Sequence, residues 1–290
     1  MAEKFNTVGL FGKYGDPSVG DTLQRLNHYL QQRGCSILLD EATARVWRDH
    51  QLPTANHQQI SSSCDVVIIV GGDGTLLHAA RSLAGSALPL IGINLGRLGF
   101  LTDISPTEFE RCLDAIFEGH YREDHRFLLH CTIERDGEII SETDAFNDVV
   151  VHKWEVARMI ELETYVDDRF VNTTRADGLI VSTPTGSTAY ALSGGGPLLE
   201  PELDALLLVP ICPHTLSQRP LVIHGNSQVR IVVGGNSHDH AQVTCDGQIN
   251  LSLVSGDLIR IAKHPDPVRL IHPVEHDYFQ VLRTKLNWGS

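Results

Sequence analysis

The chain opens on short apolar runs that alternate with amphipathic stretches. Residues 8–11 form a β-like run, after which Val19, Leu23, Leu26 and Leu30 recur at helical spacing and Gly34 falls where a helix ends on a residue of positive φ. Residues 35–39 return to strand character. Residues 66–70 are an unbroken β-branched run of the kind buried on both faces of a sheet, and residues 90–93 are similar. Strands separated by helical patterns predict an α/β domain with a Rossmann-like parallel sheet. Ser105-Pro106-Thr107-Glu108 supplies an N-cap, a proline at the first helical position and a glutamate at the third, predicting a helix that runs to about Glu118 before Gly119.

Beyond residue 122 the pattern changes. Segments 127–134, 146–151, 160–166, 169–173, 179–182, 229–233, 242–245, 249–253, 258–262 and 268–271 read as strands, with turns at Asp136-Gly137, Asp167-Asp168 and Asp246-Gly247. The second half is therefore expected to be all-β and sandwich-like. Phe279, Leu282 and Leu286 then predict a final helical piece. The expected division is 1–122 for the α/β domain, 123–273 for the all-β domain, and 274–290 for a segment packing back on the first.

Composition narrows the partners. Of 290 residues 42% are hydrophobic and 20% charged, as in a chain that folds throughout. The 36 acidic and 23 basic side chains leave a net charge of −13, which disfavours nucleic acid and anionic membranes. Such a chain binds phosphates only where backbone N–H groups, a few arginines and a divalent cation supply a positive field locally. No run approaches the roughly 20 apolar residues that span a bilayer. Six cysteines without a CxxC fit a reducing compartment, so a cytoplasmic location is expected. Among fifteen histidines there is no HExxH, and His238-Asp239-His240 beside Gly234-Gly235-Asn236 reads as a solvated loop; no protein-built metal site is expected.

Gly71-Gly72-Asp73-Gly74-Thr75 follows the buried run 66–70 and precedes a helical run at 76–83. A strand, a glycine turn and a helix start place N–H donors and a positive dipole end in one concavity, where phosphate is the natural occupant of Gly71, Gly72, Gly74 and Thr75. Asp73 would repel that anion, so it needs a task of its own: accepting a proton from an attacking hydroxyl, or holding a Mg²⁺ that bridges phosphate oxygens. The plainer alternative is a tight turn with Asp73 as N-cap. Residues 182–190 are dense in Ser, Thr and Gly, which suits either a polar ligand or an ordinary turn rich in side-chain hydrogen bonds. Asn147-Asp148 lies inside an apolar run, where adjacent residues project to opposite faces; the pair meets a ligand or ends a strand at water.

Gly71-Gly72-Asp73-Gly74-Thr75 resembles the signature shared by NAD kinases, diacylglycerol and sphingosine kinases and, in variant form, phosphofructokinases. The block from Asp177-Gly178-Leu179 through Ser182-Thr183-Pro184-Thr185-Gly186-Ser187-Thr188-Ala189-Tyr190, followed by Ser193-Gly194-Gly195-Gly196-Pro197, is similar to that of NAD kinases in particular, as are segments 92–101 and 213–221. The resemblance covers both expected domains. It implies transfer of the γ-phosphoryl group of ATP to the adenosine 2′-hydroxyl of NAD, with Mg²⁺ or Mn²⁺ and Asp73 as the catalytic residue. NAD is expected in the crevice between the domains, contacted by Asp73, Gly74, His78, Phe100, Asn147, Asp148, Arg158, Arg175, Asp177, Thr188, Ala189, Tyr190, Ala191, Leu192, Ser193 and Gln248. Asp148 stands where the family more often has Glu, one methylene longer. An arginine at 175 is similar to the variant that prefers NAD to NADH and ATP to polyphosphate. A homo-oligomer, dimer or tetramer, is implied, with β-domain surfaces in contact. A lipid or sugar kinase using the same loop, or a dinucleotide-binding regulator without catalysis, are the competing readings.

Overall fold

The computed structural model describes residues 5–16, 19–96, 98–154, 159–234 and 241–288. The chain divides into two compact units, Met1–His125 with Val268–Ser290, and Arg126–Pro267. In the first, seven strands lie in the order Thr54–Ala55, Ser36–Asp40, Thr7–Gly12, Val66–Gly71, Pro89–Asn94, Val268–His272 and Arg122–Arg126. The first six pair in parallel. Val66–Gly71 and Pro89–Asn94 are buried along their whole length, as the unbroken apolar runs predict. The helix Val19–Gln32 buries Leu23, Leu26 and Leu30, and Gly34 closes it at φ 76°. The helix Phe109–Phe117 buries Phe109, Leu113 and Ile116 in the same core.

Two expectations shift here. The helix expected from Ser105 begins at Phe109, because the Ser105 hydroxyl accepts the Thr107 N–H in a local turn and Glu108 N–H bonds back to Ser105 O. The strand Val268–His272, grouped by sequence with the second half, instead pairs in parallel with Pro89–Asn94. Its run of apolar residues carries no information about which sheet receives it. The expected C-terminal helix is Tyr278–Leu286, in the first unit.

The second unit is a sandwich of two six-stranded antiparallel sheets. One runs Arg169–Ala176, Ile160–Val166, Val229–Val233, Leu258–Lys263, Leu129–Arg135, Glu138–Ala145; the other runs Leu221–His224, Ala205–Ile211, Gly178–Ser182, Asp148–Lys153, Ala241–Cys245, Ile249–Leu253. Alternate residues of both, such as Leu129, Leu162 and Ile231 against Val149, Val181 and Val243, form one core. The three Asp-led turns each place both central residues at positive φ, the geometry that matches strand twist in tight hairpins. The second sheet is covered on its other face too, where Val150, Ile180 and Val209 pack with Ala191 and Leu199. All six cysteines are free thiols, with Cys212 exposed. Among the described residues no helix is long and apolar enough to cross a membrane.

The end of the first strand, where a ligand would approach this sheet, is pinned by a short relay. Asp40 caps the helix Glu41–Val46 by accepting both the N–H (2.9 Å) and the hydroxyl (3.0 Å) of Thr43, whose oxygen accepts Gly12 N–H at 2.8 Å. Thr43 and Asp40 are both buried. Thr43→Val keeps the shape but leaves Gly12 N–H without its acceptor; it should cost about 1–3 kcal/mol in a denaturant titration, whereas a change within error would mean that water replaces the lost bond.

Candidate active site

Strand order reverses between Thr7–Gly12 and Val66–Gly71, and ligands of open α/β sheets bind beyond the carboxyl ends at such a switch point. The loop Gly71-Gly72-Asp73 lies there, followed by the helix Asp73–Ser82, whose cap residue Gly72 offers no side-chain acceptor. Gly71 is required for close packing, since a Cβ would overlap the Thr75 hydroxyl. Asp73 is the first helical residue, and its side chain turns back to a second loop. Oδ2 accepts Phe100 N–H at 2.8 Å; Oδ1 accepts Leu101 N–H at 3.0 Å, Thr102 N–H at 3.2 Å and the Thr102 hydroxyl at 3.2 Å. A Cβ at Gly99 would overlap Asp73 Oδ1, so the loop approaches the carboxylate only as glycine. The Asp73 and Phe100 of the sequence reading are thus brought together, and Lys285 of the C-terminal helix lies over the Phe100 ring at 5.5 Å. His78, one turn into the helix, meets His57 edge-on at 5.9 Å, and His57 stacks on Phe11 at 5.6 Å. Partial desolvation, with the Arg81 charge adding to it, holds His78 below its ordinary pKa.

In the second unit the centre is Asn147-Asp148. Asp246, in the hairpin turn, accepts the N–H groups of Phe146 (3.0 Å), Asn147 (2.7 Å) and Asp148 (3.2 Å). Around the backbone of Asn147 wraps the serine- and threonine-rich segment: the Thr183 hydroxyl donates to Phe146 O at 2.8 Å, the Ser182 hydroxyl to Asn147 O at 3.2 Å, and a Cβ at Gly186 would overlap that carbonyl. Ser187 is buried as well, donating to Pro184 O and accepting Leu199 N–H. These inner hydroxyls serve the fold. Thr188 and the short helix Tyr190–Ser193 follow, with Tyr190 47% exposed and Ala191 sealing the sheet. Gly196 belongs to the same seal, its N–H bonding to Ala191 O.

Asp177 pairs with Lys153 at 2.6 Å, a partner the sequence reading did not single out. Arg175 is exposed and lies across the ladder from Glu161. Gln248 is exposed on the turn that carries Asp246. Arg158 and the His238-Asp239-His240 stretch lie outside the described residues. Sequence reasoning did not single out Thr102 in the first unit or Asp246 and Lys153 in the second as site residues; only Asp246 left a signal, as part of a turn that starts one residue beyond the buried strand Ala241–Cys245.

The two units define the class by architecture: an α/β unit with a largely parallel sheet, joined in one chain to an antiparallel β sandwich. Family models for the ATP-NAD kinase N-terminal domain and the ATP-NAD kinase C-terminal domain match residues 8–121 and 146–273. NAD kinases of Hahella chejuensis and Pseudomonas savastanoi pv. phaseolicola are 48% and 50% identical over 288 residues, covering 99% of this chain and 97% of each relative. Among solved structures, yeast NADH kinase complexed with NADH superimposes with a TM-score of 0.91 at 27% identity, covering 99% of this chain and 89% of that one. An NAD kinase from Archaeoglobus fulgidus in complex with ATP gives 0.77 at 27% identity, over 97% and 98%. The chain belongs to the NAD kinase family.

Asp148 is 4% exposed, and burial, with the neighbouring Asp246 carboxylate adding to it, pushes its pKa from 3.8 up to about 7. A carboxyl whose folded pKa is raised binds its proton more tightly in the native state. Its contribution therefore falls as pH rises from about 4 towards 7 and levels off above. Asp148→Asn should remove that slope and gain on the order of 3 kcal/mol at pH 8 relative to its effect at pH 4. Denaturant midpoints of both proteins across this range check it; parallel profiles would mean that Asp148 ionises as an ordinary carboxylate.

Proposed function

We propose that the protein transfers the γ-phosphoryl group of ATP to the adenosine 2′-hydroxyl of NAD, and that Oδ2 of Asp73 receives the hydroxyl proton or anchors the metal. The observation that carries this role is the asymmetry of the Asp73 carboxylate: Oδ1 takes three donors, whereas among the described residues Oδ2 accepts only Phe100 N–H. With one donor on Oδ2 against three on Oδ1, Oδ2 is the oxygen with acceptor capacity left for a hydroxyl or a cation, while Oδ1 fixes the orientation. The glycine loop Gly71, Gly72, Gly74 with Thr75 holds the triphosphate. A divalent cation, Mg²⁺ or Mn²⁺, fits beside this carboxylate oxygen and, when bound, neutralises charge on the phosphate oxygens. Catalysis then comes from in-line positioning, as the bond from the γ-phosphorus to the ADP oxygen breaks and that to the 2′-oxygen forms. In the second unit Asn147 and Asp148 recognise a ribose, while Asp177, Thr188, Ala189, Tyr190, Ala191, Leu192, Ser193 and Gln248 bind the dinucleotide. Phe100 and His78 are assigned to the same ligand, as is Arg158.

The cytoplasm is the compartment in which this reaction is placed. A homo-oligomer is supported by apolar side chains on the sandwich's edge strands, Phe170 at 58%, Ile139 at 61% and Val222 at 46% exposure, which are suited to contact another copy.

An NADP-specific dehydrogenase coupled to the reaction reports NADP formed from NAD and Mg-ATP; a flat trace with every metal and donor tried would sink the central reading. Within that assay Asp73→Asn should lower kcat by about 10²-fold or more. The amide also opposes a donor to one of the loop N–H groups, so a second variant separates chemistry from loop anchoring. Thr102→Val removes only the hydroxyl donor to Oδ1 and should stay within about tenfold of the parent. Equal losses in the two variants would make Asp73 a loop anchor alone.

Selectivity is assigned to Arg175. A guanidinium repels the positive nicotinamide ring of NAD at short range, so Arg175 acts through a phosphate or by shaping the pocket. Arg175→Gly should raise the NADH rate relative to NAD and leave NAD phosphorylation measurable. An unchanged ratio would make Arg175 an exposed side chain with no part in selectivity, its net worth as a surface ion-pair partner about 0–1 kcal/mol.

A further inference from the structure

The first unit buries a second polar cluster that phosphoryl transfer does not use. Asp103 follows the loop held by Asp73, His272 ends the strand Val268–His272, and His276 lies in the turn before the C-terminal helix. Asp103 Oδ2 is 2.9 Å from His272 Nδ1 and 2.7 Å from His276 Nδ1, and the two imidazoles stack at 4.1 Å, 17° from parallel. The ligating atoms of the three side chains all lie within 4.8 Å of one another. Side-chain exposures are 8% for Asp103, 2% for His272 and 6% for His276. We propose that Asp103, His272 and His276 form a binding site for one zinc-class divalent cation.

Two buried atoms of this cluster, Asp103 Oδ1 and His272 Nε2, have no hydrogen-bond partner among the described residues. Leaving such groups unsatisfied is costly, and a ligand at the cluster changes both. A cation held by Oδ2 and the two Nδ1 atoms leaves Oδ1 as a further donor to the same ion. It also requires each ring to carry its proton on Nε2. For His272 that N–H then faces Asp124 Oδ2, which lies 3.8 Å away, beyond hydrogen-bond distance, and would have to approach to act as the carboxylate that fixes a ligand tautomer at zinc sites.

The geometry is close to that of a filled site. Zinc bonds of about 2.0–2.2 Å at tetrahedral angles separate ligand atoms by about 3.4 Å, so each N···O edge must open by roughly half an ångström. Access exists: Asp103 and His276 line a cleft of about 310 Å³ together with Glu108, Glu275 and Asp277, whose charges favour a cation. Among the described residues that line it, Arg111 is the arginine, and it reaches Glu275 at 4.0 Å. Two imidazoles and one carboxylate suit zinc, cobalt or nickel, whereas magnesium, which prefers oxygen ligands, is expected to bind poorly. On binding, two N–H···O bonds are replaced by metal–ligand bonds, and each Nδ1 proton moves to Nε2 or, from an imidazolium, to solvent.

The test is a titration of the metal-stripped full chain with Co²⁺, followed by Zn²⁺. One equivalent per chain should develop the visible bands of low-coordinate cobalt and be displaced by Zn²⁺ at micromolar concentration, but not by millimolar Mg²⁺. His276→Gln, at the rim of the cleft, should abolish that equivalent while thermal melting shows a folded protein. Asp124→Asn should weaken it about 10–100-fold. No saturating equivalent, or one that survives in His276→Gln and vanishes in His240→Ala, would overturn the proposal and leave the cluster a hydrogen-bonded clamp.

Discussion

A buried or half-buried carboxylate must find donors, and at Asp73 and Asp246 backbone N–H groups provide them. With 36 acidic against 23 basic side chains, cations cannot pair with every acid. Asp73 gathers three successive amides of a loop that is neither helix nor strand, and Asp246 gathers three more from Phe146 to Asp148. Charge-assisted bonds of this kind are stronger than neutral ones, and several to one side chain fix a backbone path. The segments carrying Phe100 in one unit and Asn147 in the other take their shape from a single acid each. That constraint also explains glycines at 99 and 186, where the backbone passes too close to a polar oxygen to admit a Cβ.

Local rules made much of this legible beforehand. The strand at 66–70, the glycine turn and the helix after it could be read because a doubly covered strand and a helix start leave patterns a few residues long. The Asp-led hairpin turns could be read because positive φ at two successive positions restricts residue choice. Pairing over long distances left no such trace. Val268–His272 joins a sheet begun about 260 residues earlier, and Glu138–Ala145 escaped notice because as an edge strand it is largely polar and exposed. The helix expected with Ser105 as its cap starts three residues late because a serine turn competes for the same amides.

At the candidate site the limits were of another kind. A run of serines, threonines and glycines has the same composition whether its hydroxyls face a ligand or its own backbone. Here Ser182, Thr183 and Ser187 bond inward, and the residues after them reach the surface. The Asp148 carboxyl, read as a departure from the longer Glu, proved to be almost wholly buried beside a second acid, a coupling that needs the hairpin at 246 to be placed before it can be seen.

The return of Val268–His272 to the first sheet bears on how the protein is made. A ribosome delivers residues in order, so the stretch Arg126–Pro267 is complete and free to fold while the sheet begun at Thr7 still lacks a strand near its edge. The unit that comes second along the chain is therefore the first to be fully available. The sheet of the first unit stays incomplete until Val268–His272 has emerged. Nascent chains stalled short of residue 268 would carry a finished sandwich attached to an unfinished sheet, and it is that unfinished sheet which a chaperone would have to shield.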